Sequence, residues 1–117
     1  MKVLIILNHN PYDGTDVTWN ALRLVEKLLE RNTEVKVFLM NDSVDLARAG
    51  VEPPTDYFDL SEMLAGLAGK GILVKVCSTC LVRCGVHKGK PLIKGAAEAK
   101  MPELAEWILE CDKVISF

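Results

Sequence analysis

Cys77, Cys80, Cys84 and His87 stand within eleven residues of one another, in the stretch Val-Cys-Ser-Thr-Cys-Leu-Val-Arg-Cys-Gly-Val-His that begins at Val76. Side chains of these types at this spacing support two chemistries. In the first, Cys77 is a nucleophile: if a helical turn begins at Ser78, its free amides and positive dipole end favour the thiolate, which is the reactive form of cysteine. The surrounding sequence pushes the same way. No Asp or Glu lies between Glu62 and Glu98, whereas Lys70, Lys75, Arg83, Lys88, Lys90 and Lys94 all do, and nearby positive charge favours the ionised thiol. Cys77 and Cys80 form a C-x-x-C pair, which serves either dithiol exchange or half of a metal site. In the second chemistry, Cys77, Cys80, Cys84 and His87 supply the soft ligands that zinc prefers. Structural zinc sites, however, draw two ligand pairs from separated segments, which this single crowded run does not offer. His9 lies in a turn-rich segment where a solvated histidine is the default, and Cys111 completes an apolar helix stripe and is expected in the core.

The elements that must hold these residues follow from periodicity. Lys2 to Asn8 is a near-continuous aliphatic run, as expected of a strand covered on both faces. The turn formers Asn8 to Gly14 break it. Trp19, Leu22, Val25, Leu28 and Leu29 then recur at helical spacing between Asp16 and Arg31, with Thr15 or Asp16 as N-cap. Glu34 to Met40 predicts a second strand, Val44 to Ala49 a short helix capped by Asn41 to Ser43, and Glu52 to Asp56 a loop. Asp59 opens a helix carrying Leu60, Met63, Leu64 and Leu67, which Gly69 and Gly71 end. Ile72 to Cys77 is a third strand, so Cys77 closes a strand end. Ser78 to Lys100 is the least regular stretch, with Pro91 to Lys94 as an expected edge strand. Pro102 marks a helix start, with Leu104, Trp107, Ile108 and Cys111 on one stripe, and Asp112 to Phe117 is the last strand.

Strand and helix alternate throughout, which predicts a three-layer α/β/α fold with a mainly parallel sheet of about five strands. In such sheets chemistry gathers beyond the carboxyl ends of the strands, where Cys77 lies. With 117 residues, half of them apolar, the chain is expected to form one domain over 1–117. The formal charge of -2 argues against nucleic acid or an acidic membrane surface as partner. The opening apolar run is too short for a signal peptide or membrane span, so a cytoplasmic, reducing location is expected and the cysteines are not read as disulfides. Neither G-x-G-x-x-G nor a P-loop occurs, and no organic cofactor is expected.

The chain resembles the DsrE/DsrF-like sulfur-relay family, especially its YchN-like members. The resemblance is carried by an opening strand ending in the Asn8 to Gly14 turn, by Phe38-Leu39-Met40 before Asn41-Asp42-Ser43-Val44, and by Val74-Lys75-Val76-Cys77-Ser78-Thr79-Cys80. Leu104-Ala105-Glu106-Trp107 and Asp112 to Phe117 complete it over the whole length. In relay proteins of that family a cysteine at the end of this strand, with a glycine eight residues on, carries sulfur as a persulfide. Cys77 and Gly85 match that spacing. Where YchN-like members usually place Arg directly before this glycine, this chain has Cys84, and its arginine is Arg83. The resemblance implies a homotrimer or hexamer, and sulfur donor and acceptor proteins as partners. Three functions follow: a persulfide carrier working through Cys77 and Cys80, with Arg83, Gly85 and Asn8 in support; a metal site on Cys77, Cys80, Cys84 and His87; or a non-catalytic oligomeric binding protein with Tyr57 and Phe58 as interface anchors.

Overall fold

Three aliphatic runs, Lys2–Leu7 (β1), Glu34–Leu39 (β2) and Leu73–Cys77 (β3), form the centre of a five-stranded sheet in the computed structural model, which describes residues 1–117. Ala96–Ala99 (β4) and Lys113–Ser116 (β5) are the edges, in the order β4-β3-β2-β1-β5. Every pairing is parallel. The register sets Leu7 beside Leu39, Leu39 beside Val76, and Cys77 beside Ala99, so the carboxyl ends of four strands share one rim.

Alternation along the strands sorts the two faces. Phe38, Lys36 and Lys75 meet Trp107 of the helix Met101–Glu110 (α4): the Phe38 and Trp107 rings pack edge to face at 6.0 Å, and the Lys75 and Lys36 ammonium groups lie 4.6 and 5.2 Å from the Trp107 ring centre. Val35, Val37 and Leu39 therefore face the other way. There the helices Val17–Glu30 (α1) and Leu60–Gly69 (α2) bury Ala21, Leu22 and Val25, and Leu60, Leu64 and Leu67. Helices thus cover both faces, as alternation predicts, and the sheet is wholly rather than mainly parallel.

Lys36, almost fully buried, is neutralised by an ion pair with Glu110, to which Lys2 also bonds at 3.1 Å. Asp59 caps α2 by accepting the Glu62 amide at 3.1 Å. At α1 Asp16 makes no capping bond and accepts the Tyr57 hydroxyl instead, while the Thr15 hydroxyl oxygen accepts the Val17 amide at 3.4 Å and Asp13 closes the preceding turn by accepting from Thr15.

The segment after β2 is a 3₁₀ turn over Asn41–Ala47 rather than a helix from Val44 to Ala49. Pro91 to Lys94 is not the edge strand. Pro91 lacks an amide and this segment turns to the 3₁₀ turn instead: Pro91 accepts the Ala49 amide and Ile93 donates to Ala47, both at 2.7 Å, around a single Arg48–Leu92 bridge. The stretch read as irregular also contains a short helix, Ser78–Arg83 (α3), directly after β3. No helix is long and apolar enough to cross a membrane.

Candidate functional site

Cys77 ends β3 and is at once the N-cap of α3, with its Sγ accepting the Cys80 amide at 3.4 Å. A serine-like side chain at the first position before a helix satisfies an amide that would otherwise lack a partner. Cys80 follows one turn later, with its Sγ accepting the Asn41 amide at 3.2 Å. Both thiols are enclosed: Cys77 is 6% and Cys80 8% exposed, whereas Cys84, the C-cap of α3, is half-buried. Burial, and then contact with the Cys77 thiol, pushes the Cys80 thiol up to about 11, against the opposing pull of the Asn41 amide.

Asn8 belongs to this site at one remove. Its side-chain oxygen accepts from the Asn41 amide group at 3.0 Å, and its own amide group donates to Phe117 O at 3.1 Å. Asn41 sits at φ +53°, a left-handed conformation that asparagine tolerates better than most residues, and this directs its backbone amide at Cys80. The strand order reverses between β1 and β5, and there Asn8 closes the gap by bonding Phe117 through both its backbone and its side chain. Cys77 instead lies two strands away, at the end of β3.

The loop that follows α3 is held by a carboxylate that sequence reading missed. Asp45, 1% exposed, accepts the amides of Val86 at 2.7 Å and His87 at 3.2 Å, the Asn10 side chain at 2.9 Å and Arg48 Nε at 3.1 Å. Asp42 accepts the Gly85 amide at 2.9 Å. Arg48, itself buried, reaches past Asp45 to donate to Leu81 O at 2.8 Å, so the same pair fastens the end of α3. Gly85 has φ +80°, and a Cβ placed there would lie 2.5 Å from Asp45 Oδ1. Only glycine fits, which supplies a physical reason for the glycine eight residues after Cys77. One signal was available: Asp45 and Arg48 are spaced i, i+3 inside an otherwise apolar segment.

Asp42 and Asp45 also correct the acid-free flank, which is acid-free in sequence and not in space. Lys75 is engaged by Glu103 at 3.4 Å, and Ser78 borders a depression lined by Glu98, Lys100 and Glu103. The Arg83 side chain is exposed and makes no hydrogen bond or ion pair. His87 enters the Asp45 cradle through its backbone amide. Cys77, Cys80, Cys84 and His87 do not converge as a ligand set, since no three His, Cys, Asp or Glu side chains are grouped to hold a metal. Cys111 caps the end of α4, packed against the core, and its thiol is raised by burial. Of the two aromatic residues read as anchors, Tyr57 folds back. Its hydroxyl donates to Asp16 at 2.8 Å and is pushed up to about 12 by burial and by that bond. Phe58 stays half exposed, stacked on Trp19 at 4.9 Å.

The sequence profile of the DsrE/DsrF-like family matches residues 1–117. Protein YchN of Escherichia coli is 36% identical over 118 residues, covering 99% of this chain and 98% of the relative. The crystal structure of the E. coli ychN protein superposes with a TM-score of 0.89 at 35% identity, covering 100% of this chain and 99% of that one. A more distant relative, the sulfurtransferase TusD of Proteus mirabilis, is 29% identical over 124 residues, covering 96% of this chain and 95% of the relative.

Proposed function

Because this chain belongs to the DsrE/DsrF-like family, we propose that it is a sulfur carrier in which Cys77 holds sulfane sulfur as a persulfide. The observation that carries this reading is the place of Cys77: it is the last residue of an inner strand and the cap of α3, with a second thiol one turn away, in a chain that aligns nearly end to end with a sulfurtransferase. The Cys77 thiolate attacks the outer sulfur of a donor persulfide. The donor's S–S bond breaks, the donor leaves as a thiolate, and Cys77-S-SH forms. An acceptor thiolate repeats the exchange in the outward direction.

Cys80 has a defined part in this scheme. As a thiolate it would attack Cys77 Sγ, expel hydrosulfide and leave a Cys77–Cys80 disulfide that an external dithiol must reduce. Burial raises its thiol, so little of that thiolate is present at neutral pH and its attack is slow. The persulfide is therefore protected from its neighbour, as a carrier requires. Gly85 supports the site by fitting against Asp45, and Asn8 by orienting Asn41.

Incubation with a cysteine desulfurase and free cysteine tests the reading. One sulfur atom should be added, removable by reductant and located on Cys77 by mass spectrometry. Cys77→Ser should abolish loading, because a serine hydroxyl is scarcely ionised at neutral pH, and Cys111→Ser should leave it intact. Wild-type protein that takes up no sulfur would refute the proposal.

A further inference from the structure

Two valines stand in water beside the thiols: Val82 near the end of α3 and Val86 just after it, 76% and 77% exposed. They are held there. The inner face of α3 is taken by Cys80, and the amides of Gly85, Val86 and His87 are bonded to Asp42 and Asp45 at 2.9, 2.7 and 3.2 Å, so the backbone that carries Val86 is fixed with its side chain outward. Cations accompany the pair. Arg83, Lys88 and Lys90 are exposed; Arg83 and Lys88 have no ion-pair partner in the chain, and Lys90 donates to Gly50 O at 2.8 Å, which leaves its charge uncompensated. Of the nearby acids, Asp45 is buried against Arg48 and Asp42 is engaged by the Gly85 amide, while Glu98 and Glu103 border Ser78 at the other end of α3.

Arg83 lies about 9 Å along α3 from Cys77. Only 6% of Cys77 is open, so a donor persulfide reacts with it efficiently when the donor is held in one orientation rather than meeting it by random collision. A patch of two valines and three cations is far smaller than the ~800 Å² per partner that a stable interface takes. It suits a brief contact with a short segment, which a carrier must release after each transfer. Its size, and the repulsion between two like-charged patches, argue against a second copy of this chain as the occupant.

We infer that the surface formed by Val82, Arg83, Val86, Lys88 and Lys90 docks the sulfur donor through an acidic segment that carries the donor's persulfide and an apolar side chain. The inference rests on the carrier reading and adds the chemistry of the partner to it. Cys77 is loaded directly: its thiolate attacks the outer sulfur, a new S–S bond forms at Cys77, the donor's S–S bond breaks, and the donor departs as a thiolate. Cations beside that departing sulfur stabilise the thiolate it becomes, which speeds departure. An acceptor arrives as a thiolate, so for it the same stabilisation holds the starting state, and the charge of the surface favours loading over unloading.

The test uses two short peptides of equal length, each with one cysteine persulfide and one leucine, flanked in one by glutamates and in the other by lysines. Free cysteine persulfide, too small to span the patch, is the third donor, and sulfur on Cys77 is followed by mass spectrometry. At about 20 mM salt the acidic peptide should load Cys77 at least about tenfold faster than the basic one, and the difference should fall below about twofold at about 0.5 M salt. Lys88→Glu should cut the preference at least about threefold, while free cysteine persulfide loads Cys77 as in the wild type. The salt dependence of the wild type decides the matter even if Lys88→Glu does not fold. Equal loading by the two peptides overturns the docking surface and leaves the carrier reading standing, whereas no sulfur on Cys77 from any of the three donors overturns both. Loss of an oligomer in Lys88→Glu, seen by light scattering, assigns the surface to contact between copies and overturns the inference, as does an acidic preference found only in the unloading of Cys77 to the reduced peptides.

Discussion

Replacing Gly85 with alanine should destabilise the protein by about 2.5–5 kcal/mol, and the cost has two separable parts. The first is conformational: at φ +80° an L side chain costs about 1–2 kcal/mol. The second is a collision, since the new Cβ would lie 2.5 Å from Asp45 Oδ1 and 2.9 Å from its carboxyl carbon. Asp45 cannot retreat without loosening its bonds to Asn10, Arg48, Val86 or His87. A hydrogen bond to a charged group contributes about 1.5–3 kcal/mol, so losing one accounts for the remainder. Gly89→Ala is the internal control. It has a similar φ of +88°, but its Cβ would meet nothing within 4 Å, and it should lose only the conformational part. Urea unfolding of the two variants, compared at equal m-value, measures the difference. If they differ by less than about 1 kcal/mol, Asp45 yields freely and the account of a rigid carboxylate cradle is wrong.

Alkylation followed cysteine by cysteine should find Cys80 unreactive at pH 8, with its rate still rising beyond pH 10, because burial holds its thiol near 11. The same shift has a stability sign. Between the ordinary value of 9.0 and about 11 the folded state keeps a proton that the unfolded chain releases, so this contribution is complete below pH 9 and is lost as pH rises through 11; Cys80→Ser should remove that slope from urea midpoints. The carrier is also proposed to be a homo-oligomer, a trimer or hexamer, and the exposed Val114 and Ile115 of the unpaired β5 edge, with Leu109 of α4 at 87% exposure, fit an assembly of copies. Light scattering that returns a monomer at micromolar concentration would refute this.

Where burial repeats at a local period, the sequence was legible. The aliphatic runs Val3 to Leu7 and Val35 to Leu39 could pack only as strands covered on both sides, and they do. Asp59 and Pro102 marked helix starts through chemistry confined to one turn. The position of Cys77 at a strand end followed from the same patterns. By contrast, β4 is Ala-Ala-Glu-Ala, a segment with little strand propensity of its own, which becomes a strand because β3 offers it an unpaired edge.

The amino-acid sequence by itself determined the alternating α/β architecture, the strand that delivers Cys77, and the one-turn spacing of the three thiols, because each depends on residues that are neighbours along the chain. Tertiary structure alone decided how those thiols are graded in exposure, which amide faces Cys80, and why position 85 must be glycine. These properties depend on groups 39 to 42 residues apart: Asn41 reaching Cys80, and Asp45 gathering Val86 and His87. Hydrogen bonds between segments so distant leave no period in the sequence. They become visible only when the strand ends are brought to one rim and a carboxylate from one loop is buried against the amides of another.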